Sequence, residues 1–497
     1  MADPVANESS VQTPNPGQGS WLDTDASPLH PWWRRFFAPV AMDSLVCFRV
    51  AFGAIMLWEV GRYFSHGWID RYYRDPEFLF TYYGFDWVKP WPGNGMHWHF
   101  AALGALAVCI GLGLFYRVAT GLFFVGFTHV FLLCQTRYLN HFYLICWISF
   151  LMIFVPAHRA WSLDVLRRPK EARDTAPAWS LWLLRAQLGI AYCFGGIAKL
   201  NEDWLRGEPL RSWLANSDDF PLLGPYLTEE WVVYLFSYGG LLVDLLLVPM
   251  LLWRQTRWLG LAVAVLFNLM NARLFSIGIF PWFMIAGTLL FLPPDWPRRL
   301  AARLGWPVSW AARPEPDVRM ATCSMSPKQR AALCLLGSYL LFQVFMPLRH
   351  WLYPGSVHWT EEGHNFSWHM KLRDKEAVST EFRVTNPATR QTWNIDPSDH
   401  LSSRQLSKMS TRPDLIQQFA KYLADLHRRG GTNVEVRAEV LVTLNGRKPQ
   451  WLVDPKVDLA AQPRTLRRKR WILPLREPLP RSGLRQSHHD SGDGGPE

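Results

Sequence analysis

Long blocks of apolar residues constrain the fold of this chain more than any other feature. Nine such blocks, each 17 to 23 residues long, divide the first 347 of the 497 residues. A helix of about 20 mostly apolar residues is long enough to cross a bilayer. The pattern predicts an all-α polytopic membrane bundle of about nine transmembrane helices. The predicted spans are approximately 44–64, 98–116, 118–136, 141–157, 179–199, 231–253, 256–272, 275–292 and 329–347.

Basic residues are concentrated in alternate loops between these blocks. The loops with this excess contain Arg34 and Arg35, Arg117, residues 159–173, Arg254 and Arg257, and residues 298–319. Cytoplasmic loops of membrane proteins carry such an excess. We therefore predict a cytoplasmic N-terminus and, after an odd number of spans, a C-terminal domain in the periplasm or outside the cell, or in the ER lumen of a eukaryote. Topology explains the formal charge of +11, so no nucleic-acid partner is predicted.

The residues after the last apolar block have a different pattern. Residues 434–442 alternate with period two, Asn445-Gly446 is typical of a hairpin turn, and residues 413–429 carry an apolar stripe at helical spacing. We predict an extracytoplasmic α+β domain, mainly antiparallel β with one helix, over residues 348–476. The membrane domain is predicted over residues 41–347, and polar, disordered tails over residues 1–40, which are cytoplasmic, and 477–497.

The cysteines predict neither disulfides in the C-terminal domain nor a metal site. Six of the seven lie in or beside apolar blocks, and none follows Cys334. The chain lacks a CxxC pattern, which a structural zinc site would require. We expect no metal.

Four polar segments interrupt the apolar background, and the predicted topology puts all of them on the outer side. They are residues 138–143, residues 199–204, residues 268–278 and residues 365–369. Lys199 ends a span and follows a run of small residues that allows close helix packing. Apolar surroundings favour a neutral amine, which can act as a general base. The alternative is a lysine that reaches the membrane surface and pairs with Glu202 or Asp203.

The other polar residues also have two interpretations. Asn140 and His141 open the fourth span and could polarise a carbonyl, hold an oxyanion or relay a proton. They could equally be a helix cap with an interfacial histidine. Asn268 and Ser276 fit helix packing across a tight turn. Trp368 could bind a ligand or simply pack in a core.

Several ordered motifs resemble the vitamin K-dependent gamma-glutamyl carboxylase family, whose membrane part is called the HTTM domain. The likeness runs from about Phe48 to about Leu475. The motifs are Asn140-His141-x-Tyr143, His158-Arg159-x-Trp161-Ser162-x-Asp164, Lys199-Leu-Asn-Glu-Asp-Trp204, Met270-Asn271-x-x-Leu-Phe-Ser276-Ile-Gly-Ile-Phe280, Pro294-Asp-Trp-Pro-Arg298, Phe366-Ser-Trp368 and Asp454-Pro-Lys-Val-Asp458.

The resemblance implies a reaction and a set of site residues. In this family a lysine deprotonates vitamin K hydroquinone, which reacts with dioxygen to give a strong base on the way to the epoxide. That base removes a γ-proton from a peptide glutamate, and carbon dioxide adds to the carbanion. Lys199 matches the lysine. The quinone is then expected near Asn140, His141, Tyr143, Asn271 and Ser276, and the glutamate near Trp368 and His369.

The sequence departs from the family pattern at some of these positions. Asn201 replaces an aspartate, Asn268 a histidine, and His369 and Lys371 stand in the motif that reads F/Y-S-W-D-M-M elsewhere. The absence of the cysteines of animal members and the shorter C-terminal part indicate a bacterial, inner-membrane member. Two other functions compete with carboxylation: a quinol oxidase or epoxidase that lacks a peptide substrate, and a non-catalytic HTTM membrane protein.

Overall fold

The computed structural model describes residues 33–216, 224–275, 277–306 and 325–480. Over these residues the protein is mainly helical, with a four-stranded sheet near the C-terminus. The helices of the N-terminal and membrane part are α1 Trp33–Phe37, α2 Asp43–Ser65, α3 Gly95–Leu112, α4 Tyr116–Leu133, α5 Asn140–Met152, α6 Leu163–Arg167, α7 Ala178–Lys199, α8 Glu202–Leu205, α9 Leu210–Ala215, α10 Glu230–Leu252, α11 Arg257–Phe275, α12 Phe280–Thr288, α13 Trp296–Arg303 and α14 Pro327–Leu348.

Seven of the helices within the described ranges are long and apolar enough to cross a membrane: α2, α3, α4, α7, α10, α11 and α14. The protein is thus a multi-pass membrane protein. Each of the nine predicted spans corresponds to an apolar helix, but two of them are short. Helix α5 has 13 residues, and α12 has nine, extended by the 3₁₀ turn Leu289–Phe291. At about 1.5 Å per residue, α5 is about 20 Å long, against about 30 Å of hydrocarbon, so the count of nine remains a prediction.

Helix α2 packs at the centre of the bundle. Its Phe48 and Phe52 rings meet Phe123 of α4 and Phe283 of α12, with ring centroids 5.6 to 6.2 Å apart. Gly53 lets α3 approach closely, because a Cβ atom at this position would lie 2.7 Å from the carbonyl oxygen of Ala107. No hydrophobic driving force acts between helices in lipid. Small residues at such crossings stabilise the contact because they allow close van der Waals packing.

The bundle has two chemically different ends. At the first, which we call the domain end, Asn140 at the start of α5 and Lys199 at the end of α7 lie beside the C-terminal domain. At the other, the opposite end, the start of α2 contacts residues after α12 through an ion pair between Asp43 and Arg298. Strand β1, Pro39–Ala41, pairs with β2, Thr175–Pro177, at the same end.

The C-terminal domain is an antiparallel sheet covered by helices, as the alternating sequence predicts. The sheet order is β4-β3-β5-β6, with β3 Lys375–Thr385, β4 Thr392–Ile395, β5 Glu435–Leu444 and β6 Gln450–Trp451, and the helices are α15 Val357–Thr360, α16 Ser403–Met409 and α17 Pro413–Arg429. Every second residue of β5 is buried, and the apolar stripe of α17 packs on that face. The predicted hairpin is confirmed, because Asn445 and Gly446 both have positive φ between β5 and β6.

Two details of the predicted organisation are corrected. The domain carries the additional helices α15 and α16 beside the expected α17. Residues 33–41 are ordered at the end of the predicted N-terminal tail, because the backbone of Pro39–Ala41 pairs with β2. The beginning of the predicted C-terminal tail also contacts the domain, because the Arg447 side chain donates a 3.1 Å hydrogen bond to the carbonyl oxygen of Glu477. Residues 1–32 and 481–497 lie outside the described residues, as does Ser276.

Candidate functional site

Lys199 is buried at the end of α7 and forms an ion pair with Asp244 of α10. The close approach of the two helices depends on glycine. A Cβ atom at Gly196 would lie 2.6 Å from the side chain of Leu245, and one at Gly195 would lie 3.2 Å from the Asp244 carboxylate. The Trp204 ring completes the wall, 5.3 Å from the Lys199 ammonium. The small-residue run therefore creates a buried charge pair at the domain end.

The partners suggested by sequence spacing are engaged elsewhere. Glu202 pairs with Arg206 at the surface, 3.1 Å away. Asp203 accepts two hydrogen bonds of 2.7 Å from the guanidinium of Arg447. Asp244, by contrast, lies far from Lys199 in sequence and in the middle of an apolar helix. An isolated carboxylate within an apolar span is costly to bury and is usually functional, which makes Asp244 a weak candidate from the sequence, but the sequence does not show that it pairs with Lys199.

A short segment of the C-terminal domain, Phe366–Lys371, brings together three of the four polar segments, residues 138–143, 199–204 and 365–369. We call Phe366–Lys371 the crossing segment. The Phe366 amide donates to the Tyr138 hydroxyl over 2.7 Å, and the Asn140 side chain donates to the His369 carbonyl over 3.2 Å. The Met370 side chain lies against Gly195, one turn before Lys199. The last turns of α7, Asn140 and the tryptophan motif thus meet along one segment, at the mouth of the bundle.

Asn140 does not cap its own helix. The residue preceding the helix is Leu139, and the Asn140 oxygen instead accepts a 2.8 Å hydrogen bond from Tyr138. Tyr143, one turn further on, packs its ring 5.2 Å from the ring of Trp368. The polar start of α5 is therefore used to hold the crossing segment.

His141 and the described residues of the polar segment 268–278 have other neighbours. The His141 ring packs 5.6 Å from Phe280, at the start of α12. Asn271 is half-buried near the end of α11. One turn earlier, Asn268 donates to its own helix at Ala264, over 2.8 Å, and to the Tyr192 hydroxyl of α7, over 3.4 Å. These two contacts are helix packing, the interpretation that the sequence favoured for Asn268.

Two buried ring nitrogens at the mouth are left without partners. Trp368 and His369 are both almost fully buried, and neither the indole Nε1 of Trp368 nor the Nε2 of His369 has a hydrogen-bond partner among the described residues. Nearly all buried polar groups in proteins are hydrogen-bonded, because an unpaired donor costs about 1–3 kcal/mol. An unpaired nitrogen at a cavity wall, as at His369, is what a site that receives a polar ligand requires.

A cavity of about 690 Å³ opens beside His369. Its apolar lining comes from Phe194 and Ile197 of α7 and from Leu348 and Trp351 at the end of α14. The polar lining includes three histidines and three charged residues, His350, His358, His369, Glu202, Asp203 and Arg447. The His358 Nε2 lies 3.1 Å from the His369 Nδ1. Burial lowers the pKa of His358 to about 3 and that of His369 well below its ordinary range, with the neighbouring histidines and Arg373 adding to the effect. Both rings are neutral near pH 7.

A buried group of polar contacts that the sequence did not reveal fixes the C-terminal domain on the helix bundle. Asp203 of α8 binds Arg447 and also accepts a 2.6 Å hydrogen bond from Asn445 in the β5–β6 turn. Burial acts to raise the pKa of Asp203, but the bonds from Arg447 and Asn445 outweigh it and lower the pKa below its ordinary value. The hairpin turn therefore does more than reverse the chain. It holds the domain over the end of α7.

Titratable side chains cluster here without the arrangement of a metal centre. Over the described ranges, no group of three or more His, Cys, Asp or Glu side chains could hold a metal ion. The expectation of a metal-free site remains a prediction.

The fold and this site define a class: a multi-pass helical membrane protein with a buried lysine under a C-terminal α+β domain. Two family models match the chain, the HTTM domain over residues 37–296 and the lumenal domain of vitamin K-dependent gamma-carboxylase over residues 328–478. The chain belongs to the vitamin K-dependent gamma-carboxylase family. No solved structure matches it.

Proposed function

We propose that this protein is a vitamin K-dependent gamma-glutamyl carboxylase that couples oxygenation of vitamin K hydroquinone to carboxylation of peptide glutamate. The observation that carries the proposal is the convergence at one mouth of the lysine matching the family's base, the Asn140 motif and the Trp368 motif. Family membership supports the reaction class. Dioxygen and carbon dioxide would be the other co-substrates.

The apolar cavity suits a lipid-soluble quinol. Its aliphatic and aromatic lining would take an apolar ring and side chain, and the unpaired His369 nitrogen would meet a polar headgroup. Leu200 and Trp351, both largely exposed, lie at its rim and would face lipid. Oxygenation of the bound quinol would supply the strong base that removes the γ-proton of glutamate. Asn140, His141, Tyr143, Asn271 and Ser276, the positions that match the family motifs, are proposed to orient the quinol, although none of those that the structure describes lines this cavity.

Lys199 is proposed to take the quinol proton, with Asp244 as its positioning partner. A lysine must be neutral to act as a base. The carboxylate of Asp244 touches the amine and is the nearest group that could receive the proton of an ammonium. In a dry interior, a paired group costs far less than an isolated charge. Asp244 would therefore hold the amine in position.

Trp368 and His369 are proposed to meet the glutamate of the peptide. The indole Nε1 is a donor without a partner in the described part of the chain, and a carboxylate is a pure acceptor. This chain has His369 and Lys371 where the family motif has an acid and a methionine. That difference favours, as the second candidate, a quinol epoxidase on the same scaffold that lacks peptide carboxylation.

One experiment separates the two candidates. Purified protein would be given vitamin K hydroquinone, dioxygen, labelled carbonate and a glutamate-rich peptide, and the epoxide and the carboxylated glutamate would be measured separately. Both products support the carboxylase, and epoxide alone supports the epoxidase. Neither product from folded protein would refute both. In the same assay His141→Ala should lower quinol turnover, while unchanged turnover would contradict its role at the headgroup.

The proposed orientation has the N-terminus in the cytoplasm and the C-terminal domain outside it. The basic loops of the opposite end support this orientation. Reporter fusions after Arg167 and after Leu475 should report opposite sides of the membrane. Reports from the same side would contradict the orientation and the count of nine spans together.

A further inference from the structure

The opposite end of the bundle contains a second cavity, far from Lys199. It has a volume of about 310 Å³ and lies where α4 begins and the loop into α6 passes over it. Four arginines line it, Arg117, Arg159, Arg167 and Arg168, and only two acids, Asp164 and Glu171. The His158–Asp164 motif that resembles the family forms one wall. The proposed reaction gives this motif no role.

Other groups of the protein already bind the two carboxylates of the cavity. Both oxygens of Asp164 accept backbone hydrogen bonds of 2.9 Å, from Phe115 and from Tyr116 at the start of α4. Glu171 pairs at the surface with Arg168 over 3.3 Å. Arg117 and Arg159 have no acidic partner within 4.0 Å among the described residues. The cavity therefore has an excess of positive charge.

Two nitrogens in the cavity wall are buried and unpaired. They are the Nε of Arg159 and the Nδ1 of His158, neither of which has a hydrogen-bond partner in the described part of the chain. Burial, followed by the charge of Arg117, lowers the pKa of His158 to about 4, so the ring is neutral and can still donate one hydrogen bond. An anion with several acceptor oxygens would satisfy both groups.

The surroundings place this cavity at the level of lipid headgroups. Phe115 and Val118 border it, and their side chains are 55% and 63% exposed; Leu112 and Phe154, at the neighbouring helix ends, are also exposed. Exposed apolar side chains at the end of a membrane helix face acyl chains, whereas arginines just beyond them reach the headgroups. A soluble phosphate site would have no reason to be bordered by such residues.

We propose that this cavity binds the phosphate of an anionic phospholipid headgroup. Arg117 and Arg159 pair with its oxygens, His158 donates to it, and the acyl chains lie along Phe115 and Val118. The site does not depend on the proposed carboxylase reaction, because it shares no residue with the Lys199 site. Basic pockets beside membrane helices recognise anionic lipids in this way.

The test compares two double variants of the full chain in detergent. Arg117→Gln with Arg159→Gln removes two charges from the cavity. Arg254→Gln with Arg303→Gln removes two exposed charges from other loops predicted to lie on the same side, and serves as the matched control. Phosphatidylglycerol, phosphatidylcholine and inorganic phosphate are titrated separately, and bound molecules are counted by native mass spectrometry. Thermal unfolding without lipid checks that each variant is folded.

Wild type and the control pair should bind phosphatidylglycerol in preference to phosphatidylcholine. The cavity pair should bind it about thirtyfold more weakly, as expected for two arginines near the membrane surface. Equal weakening in both pairs would overturn the proposal, because it would mean general attraction to basic protein. Equal affinity for the two lipids would also overturn it. Binding of inorganic phosphate as tight as that of the lipid would overturn the assignment to a lipid.

Discussion

The two ends of the bundle both carry motifs that resemble the family, but they treat polar groups differently. At the opposite end, the Arg49 guanidinium donates to three carbonyls, of Ala157, Ala160 and Trp161, and the Asp164 oxygens are fully used at the start of α4. At the domain end, a lysine and a carboxylate are buried together, and the indole Nε1 of Trp368 and the Nε2 of His369 are unpaired.

This difference distinguishes polar groups that stabilise the fold from polar groups that can act on a ligand. Arg49 and Asp164 bond to backbone groups and so stabilise a loop, whereas the His158 and Arg159 nitrogens at the same end are unpaired and are the ones proposed to meet a ligand. Unpaired buried groups cost folding free energy and are retained where a ligand or a reaction uses them. Similarity of sequence motifs alone does not distinguish the two cases, since both ends look equally distinctive along the chain.

The largest expected effect is at Lys199. Lys199→Ala should lower epoxide and carboxylated glutamate together by about 10²- to 10⁴-fold, the usual contribution of a general base. Lys199→Arg can keep the ion pair with Asp244 but stays protonated, so it should be equally inactive. Small amines should partly restore the alanine variant. Normal epoxide formation by Lys199→Arg would refute the base and leave Lys199 as a structural cation.

The charge pair itself predicts a large effect on stability. Asp244→Leu leaves the ammonium buried without its partner and should cost about 3–5 kcal/mol, measured by thermal unfolding in detergent. The double variant Lys199→Met with Asp244→Leu removes both charges and should recover most of that stability, while remaining inactive. Additive losses in the two single variants and the double variant would mean that the pair does not couple α7 to α10.

A smaller effect is expected from the buried histidines under the C-terminal domain. The pKa of His358 is about 3 in the folded protein and ordinarily about 6.5, so the unfolded chain binds the proton first as pH falls. The stabilising contribution of the neutral ring is complete above about pH 6.5 and is lost progressively towards pH 3. At pH 5 the loss should be about 2 kcal/mol relative to pH 7.

Variants of two histidines test this pH dependence. In His358→Gln the fall in unfolding temperature between pH 7 and pH 5 should be smaller than in wild type. His66→Gln, which replaces an exposed histidine at the same end, should leave the fall unchanged. If His358→Gln kept the full pH dependence, the neutral histidine would not stabilise the docked domain.

The smallest effect is expected at the opposite end. Asp164→Ala removes the acceptor for two backbone donors at the start of α4 and should cost about 1 kcal/mol, as helix caps do. Quinol turnover by the folded protein should not change. Glu171→Ala in the same loop, whose carboxylate makes only a surface ion pair, should cost less than Asp164→Ala. A loss of turnover in Asp164→Ala would contradict the separation between the two ends.

Much of the architecture follows from local sequence pattern. Apolar blocks of helical length, the alternation of β5 and the Asn445-Gly446 turn each depend on neighbours in the chain, and all three correspond to elements of the structure. The short helices α5 and α12 are where that pattern is insufficient, because hydropathy does not specify how far a helix extends.

The candidate residues were recognisable from the sequence, whereas their partners were not. Lys199 stands out by its position at the end of a small-residue span, and Asn140 by the motif it opens. Their partners, Asp244 and the crossing segment, are 45 and 229 residues away in the chain. Local spacing suggested Glu202 or Asp203 for the lysine, but Asp203 instead binds Arg447. Only the packing of α7 on α10, and of the C-terminal domain on both, decided these contacts, because a buried charge pairs with whichever group shares its desolvated space.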